Sequence, residues 1–161
     1  MELVLAKPAI TSRPFYIEKR LAFVRRFLFL EGCNIYLLRK LKMNKSLVIY
    51  NSKYGYTEKY AQWLAEELNA DICKNKNLNV DKLKNYFTII FGGSFYAGRN
   101  KGAITLVKYY EQIKDKKVVL FTVGMFDTNS EENIIGINKD LSKVITPEIR
   151  EKIKIFLITP F

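Results

Sequence analysis

Four short apolar runs constrain this chain more than any other feature: Leu47-Val48-Ile49-Tyr50, Phe87-Thr88-Ile89-Ile90-Phe91, Val118-Val119-Leu120-Phe121, and the stretch 152–158. Each has strand length and is rich in β-branched or aromatic residues, and the first three run without polar alternation. Such runs belong to a sheet buried on both faces. Between them lie segments with helical spacing. Thr57–Leu68 places Tyr60, Ala61, Leu64, Ala65 and Leu68 on one face and meets a terminator at Asn69, and Ala103–Ile113 points Ile104, Val107 and Tyr110 inward. Glu131–Val144 reads as an irregular helix, Lys82–Tyr86 as a helical turn, and Asp71–Cys73 as a short edge strand. Alternating strands and helices at this spacing predict right-handed βαβ crossovers in an open, doubly wound parallel sheet, in the order 2-1-3-4-5.

In such a sheet a ligand sits beyond the carboxyl ends of the strands, where the winding reverses between the first and third strands. Three loops therefore matter. The first is Asn51-Ser52-Lys53-Tyr54-Gly55-Tyr56-Thr57. Its hydroxyls, its glycine and the helix that follows could hold a phosphate on backbone N–H groups, without a cation. The same residue types also make an ordinary capped βα turn. Neither G-x-G-x-x-G nor G-x-x-x-x-G-K-[ST] occurs here, so a mononucleotide phosphate fits better than a dinucleotide or a P-loop ligand. The second loop, Gly92-Gly93-Ser94-Phe95-Tyr96-Ala97-Gly98, offers glycines against which a planar ring could lie and an aromatic, Tyr96, to stack on it. The alternative is a glycine-rich turn whose aromatics close the core. The third loop, Gly124-Met125-Phe126-Asp127-Thr128, repeats the small-then-apolar pattern.

Chemistry is narrowed by what the composition omits. The 161 residues contain no histidine and two cysteines, Cys33 and Cys73, which excludes imidazole catalysis, Ser-His-Asp triads and a thiolate metal cage. Any catalysis must come from a cofactor. The length suits one domain with a substantial core. Two cysteines without a secretory signal fit a cytoplasmic setting.

The formal charge of +11 is unevenly spread. Residues 1–42 hold nine basic and three acidic residues, while the remainder carries 18 and 13. The basic residues form no helix or loop motif with interleaved aromatics, so nucleic acid is not an expected partner. Residues 1–42 read as a basic extension, either disordered or the product of a start placed upstream of Met43. In a second reading, Ile17, Leu21, Val24 and Leu28 form one face of a basic amphipathic helix over 17–30 in peripheral contact with a membrane. No stretch there is long enough to span a bilayer. Residues 43–161 form the folded domain.

These residues carry a resemblance. Leu47–Glu58, with the helix ending Leu64-Ala65-Glu66-Glu67-Leu68, resembles the phosphate-loop signature of flavodoxins. Ile89–Gly98 resembles the second flavin loop of the flavodoxin-domain branch that includes menaquinone-dependent protoporphyrinogen oxidases. Together they cover about residues 43–158. The resemblance implies a flavodoxin-like fold and FMN as cofactor. Ser52, Lys53, Tyr54, Gly55, Tyr56 and Thr57 would lie on the FMN phosphate. Ser94, Phe95, Tyr96, Ala97 and Gly98, with Gly124, Met125, Phe126 and Asp127, would flank the isoalloxazine, and Tyr96 rather than Phe126 would stack on it. The flavin would carry the redox chemistry, so no catalytic side chain is required.

Two departures stand out. Typical flavodoxins are acidic, whereas this domain is basic even without residues 1–42, which implies a less negative reduction potential and a different partner. The sequence also stops directly after the fifth expected strand, where the fold normally continues into a covering helix, so the domain is expected to lack that helix. The implied function is electron transfer to a redox partner protein or a quinone. A menaquinone-linked protoporphyrinogen oxidase-like dehydrogenase and a non-catalytic interaction module on the same fold are the alternatives. A phosphoacceptor module would need carboxylates where Gly92-Gly93 and Asn51-Ser52 stand.

Overall fold

The computed structural model describes residues 45–127 and 129–159, together with the backbone of Val4–Ala6. The three expected apolar runs of the central sheet become β2 (Ser46–Asn51), β4 (Thr88–Tyr96) and β6 (Lys117–Val123), and the fourth becomes β7 (Ile153–Ile158). The short edge strand is β3 (Asp71–Lys74). Val4–Ala6 forms β1, which pairs in parallel with β7 through Val4 opposite Phe156 and Ala6 opposite Ile158. A two-residue strand, β5 (Arg99–Asn100), folds back on the end of β4.

The parallel sheet has the order β1-β7-β6-β4-β2-β3. From β2 onward this is the expected 2-1-3-4-5 arrangement, with β1 added at the outer edge. Register is set by burial: Val48 and Ile90 lie side by side on one face, Ile49 and Phe91 on the other, and all four are buried. Neither face of these central strands tolerates a one-residue slip, because both sets of side chains are apolar.

Helix α1 (Tyr56–Leu68) covers one face. Its buried stripe of Tyr60, Ala61, Trp63, Leu64 and Leu68 packs into a cluster with Val48, Tyr50, Ile90, Val119 and Phe121. Asn69, in the left-handed region at φ 50°, ends it as anticipated. The other face is covered by α2 (Lys101–Lys108), α3 (Tyr110–Ile113), α4 (Glu131–Ser142) and α5 (Pro147–Lys152), with the 3-10 turn Val80–Asn85.

Three features depart from the sequence reading. The single helix expected over Ala103–Ile113 breaks at Tyr109 into α2 and α3. Its inward face is Ala103, Leu106 and Tyr110, leaving Ile104 exposed. The cause is the seat of α2 on the sheet, where Gly102 lies directly against Gly93 and fixes the rotation of the helix. Helix α5 was not expected, although Thr146 caps it and Pro147 occupies its first turn, a recognisable start signal. The strand expected from Lys152 accordingly begins at Ile153. Residues 7–44, on which the readings of an extension and of a membrane-surface helix over 17–30 mostly fall, lie outside the described residues. Among the described residues, no helix is long and apolar enough to cross a membrane.

Candidate functional site

The first loop leaves β2 at Asn51 and enters α1 through Gly55, whose φ of 87° is accessible to glycine at little cost. The Gly55 N–H donates to Ser52 Oγ at 3.0 Å, which draws the loop into a tight curve. Helix α1 then begins with no side-chain cap. By contrast α2, α4 and α5 are capped by Asn100, Ser130 and Thr146. The first-turn N–H groups and the positive end of the α1 dipole are thus left for another acceptor. Thr57 is buried beside them. Behind the loop, Tyr50 donates to Glu58 Oε1 at 2.6 Å, and Lys74 approaches the same carboxylate at 3.3 Å. Burial, reinforced by Glu58, pushes the Tyr50 phenol up to about 12. The Tyr50 hydrogen bond and Lys74 hold Glu58 below the usual carboxylate range.

The second segment is a hairpin, not the glycine-rich loop that its composition suggested. Strand β4 runs through Tyr96, and Phe95 and Tyr96 pair antiparallel with Asn100 and Arg99. Ala97 and Gly98 form the turn with φ of 50° and 72°, the double positive-φ geometry of a tight two-residue hairpin. Gly92 and Gly93 do not offer a surface to a ligand ring. The Phe121 ring fills the space over Gly92, and Asn100 and Gly102 fill that over Gly93, so these two glycines serve packing. Asn100, which sequence reasoning missed, is buried. It accepts from the Ala103 N–H at 2.9 Å and donates to Thr122 Oγ1 at 2.5 Å, pinning the hairpin and α2 to β6.

In the third loop, Phe126 packs edge-on to Phe95 at 6.3 Å between ring centroids, and its ring crowds Gly124. Met125 stands 86% exposed. Asp127 accepts hydrogen bonds from the backbone and side chain of Asn129.

These three loops open onto one cavity of about 770 Å³ at the carboxyl ends of β2, β4 and β6, within the size range of small-ligand sites. The first loop lends it Ser52, Tyr54, Tyr56 and Thr57; the second Ser94, Phe95, Tyr96 and Ala97; the third Gly124, Met125 and Phe126. Four expected residues do not line it: Gly55 and Gly98 serve the turns, Asp127 faces Asn129, and Lys53 stands on the rim. The Lys53 ammonium lies 4.3 Å from the Tyr96 ring centroid and 5.0 Å from that of Tyr54. Its hydrogen bond to Tyr54 holds it above the ordinary lysine range. Tyr54 and Tyr96 meet edge to face at 6.4 Å and are 65% and 59% exposed, so the rim is aromatic and open.

The remaining wall is α4, through Glu132, Asn133, Gly136, Ile137 and Asp140, which sequence reasoning did not include. Gly136 and the hairpin-facing Asp140 recur one turn apart on that helix. This spacing could have suggested a wall, but nothing in sequence ties it to residues 52–57. Among the described residues no group of His, Cys, Asp or Glu is arranged to hold a metal.

The arrangement defines a doubly wound α/β domain with a cavity of small-ligand size at its switch point and, at one end of it, a helix terminus without a side-chain cap. The chain belongs to the flavodoxin domain family, whose model matches residues 47–156. An uncharacterized protein of Methanocaldococcus jannaschii, MJ0298, is 31% identical over 113 residues, or 68% of this chain and 66% of that protein. The chain thus spans just under two thirds of the curated relative it matches. Among solved structures, a flavodoxin from Streptococcus pneumonia TIGR4 superposes with a TM-score of 0.50 at 16% identity, covering 72% of this chain and 84% of the other. A flavoprotein in complex with FMN from Lactobacillus acidophilus NCFM gives 0.42 at 15% identity, over 72% and 93%. The likeness to the first of these, at 16% identity, speaks to the fold alone.

Proposed function

We propose that the domain binds FMN and passes electrons to a redox partner protein or a quinone. The observation that carries this reading is the uncapped amino end of α1 opening into an aromatic-rimmed cavity. Membership of the flavodoxin domain family supports it.

The residues present suit each part of the coenzyme. Backbone N–H groups in the first turn of α1, with the Ser52 and Thr57 hydroxyls, would receive the phosphate. Among the described residues the cavity wall carries Glu132 and Asp140 and no cationic side chain, so the dipole and the amides would supply the attraction for a dianion. Tyr96 is the stacking residue: it is exposed on the rim, whereas Phe126 is already engaged by Phe95 and Gly124. Bound FMN supplies the hydride and single-electron chemistry. The protein's own part is to hold the ring at the open rim, where Met125, Tyr54 and Tyr96 meet a partner, and to set the local charge. Lys53 beside Tyr96 places a positive charge at that rim, favouring the uptake of electrons.

Titration of the purified protein with FMN tests the reading: quenched flavin fluorescence and perturbed visible bands are expected. The absence of any binding by calorimetry would overturn it. With FMN bound, turnover of protoporphyrinogen with a menaquinone analogue would place the chain with the quinone-linked oxidases, and exchange of single electrons alone would make it a carrier.

A further inference from the structure

Glu58 puts a carboxylate in the same first turn of α1 as the amides left without a side-chain cap, where it is the third helical residue. A glutamate at that position ordinarily reaches back to the start of its own helix: in the capping box its carboxylate accepts from the N-cap N–H. Its charge then occupies the positive end of the helix dipole and repels an anion brought to it.

Here both halves of that arrangement are diverted. The N-cap residue is Gly55, whose N–H donates to Ser52 Oγ at 3.0 Å. Glu58 Oε1 accepts from the Tyr50 hydroxyl at 2.6 Å and lies 3.3 Å from Lys74 Nζ. The helical ladder opens with the Lys59 N–H on the Gly55 carbonyl at 3.0 Å. The amides of Tyr56, Thr57 and Glu58 lie ahead of it.

The sheet sets both clamps. Tyr50 and Lys74 are Cα partners in the parallel pairing of β2 with β3, and residues paired across a ladder stand on one face. That face is the one α1 covers: Tyr50 belongs to the core cluster of Tyr60 and Leu64. With only 7% of the residue exposed, packing fixes the phenol ring and so the point at which its hydroxyl meets Glu58. Lys74, its ammonium 5.8 Å from the Tyr50 ring centroid, adds a full positive charge from β3.

We infer that Tyr50 and Lys74 are positioning residues for the phosphate subsite: they hold Glu58 off the first-turn amides of α1 and balance its charge, which leaves those amides to an anion. The inference rests on the FMN reading. It assigns to this pair a share in the discrimination of FMN from riboflavin, which lacks the phosphate.

Fluorescence titration of the full chain with FMN and with riboflavin tests it. The wild type is expected to prefer FMN. Tyr50→Phe keeps the ring and releases the carboxylate; it should weaken FMN by roughly 2- to 5-fold, the size of one charge at a helix terminus, and leave riboflavin unchanged. Lys74→Met, on a half-exposed side chain, should act in the same direction and carries the test if Tyr50→Phe does not fold, while Lys74→Arg should keep the wild-type preference. In a Glu58→Gln background no charge needs holding back, so Tyr50→Phe should no longer separate the two flavins. A merely structural role would weaken both flavins alike. That result would overturn the inference and leave the FMN reading standing. So would equal wild-type affinity for the two flavins, an undiminished preference for FMN in Tyr50→Phe and Lys74→Met, or the same loss in the Glu58→Gln background. A wild type that binds neither flavin would overturn the FMN reading itself and the inference with it.

Discussion

Replacing Asn100 by alanine tests how the hairpin is held to the rest of the domain. Its side chain makes two buried bonds: it accepts from the Ala103 N–H as the cap of α2, and it donates to Thr122 Oγ1. Loss of a cap costs about 1 kcal/mol, up to about 2. Loss of a buried side-chain hydrogen bond costs a further ~1 kcal/mol, and the stranded Thr122 hydroxyl adds to it because Thr122 is fully buried. The sum is about 2–4 kcal/mol, before any relaxation. Urea unfolding of the full chain measures it. Thr122→Val removes the partner without stranding a polar atom on β6, so the double variant should be less destabilised than the two single changes added, by about 1 kcal/mol. Because Asn100 also pairs with Phe95 through the backbone, loosening it should free the arm that carries Tyr96 and weaken FMN binding in the variant that still folds. A change below about 0.5 kcal/mol for Asn100→Ala, with no coupling to Thr122, would refute the view that this residue anchors the hairpin.

Tyr96→Ala should weaken FMN by roughly 3- to 10-fold, the range expected for one aromatic contact of about 0.5–1.5 kcal/mol, as read by fluorescence titration. Lys53→Met should make the reduction potential of bound FMN more negative, and the difference should shrink in high salt because the ammonium is exposed; equal potentials at low salt would dismiss the role given to Lys53. Gly93→Ala should destabilise by about 1–3 kcal/mol or more, since the added methyl meets the Gly102 backbone, which cannot swing aside as a side chain would. At high pH, burial and the carboxylates of Glu58 and Asp71 raise Tyr50 and Tyr86 to about 12. The folded state therefore retains protons that the unfolded chain loses above pH 10. Stability is fully present below pH 10 and falls as the pH rises toward 12, by up to about 1.4 kcal/mol per pH unit for each tyrosine. Tyr86→Phe should flatten that fall in pH-dependent urea melts.

Sequence alone determined the order of the five strands β2, β3, β4, β6 and β7, though not β1 at the edge, and the three loops of the site, because a strand buried on both faces needs an apolar run and a parallel sheet brings the ends of its strands together. Eleven of the fifteen expected residues line one cavity for that reason. What tertiary structure alone decided concerns partners that are remote along the chain. Gly92 and Gly93 read as ligand-facing until Phe121 and Gly102 were seen to occupy the space above them. The inward face of α2 depended on that same Gly93–Gly102 contact and could not be read from apolar spacing, which favoured Ile104. Asn100 carries no local sign of its bond to Thr122, 22 residues away. The α4 wall of the cavity is polar on its exposed side, like any surface helix, and became part of a site only when the crossover from β6 to β7 laid it against the hairpin. Local patterns report burial and turn chemistry. Which buried surfaces meet is set by the crossing of the chain over the sheet, a property of the whole fold.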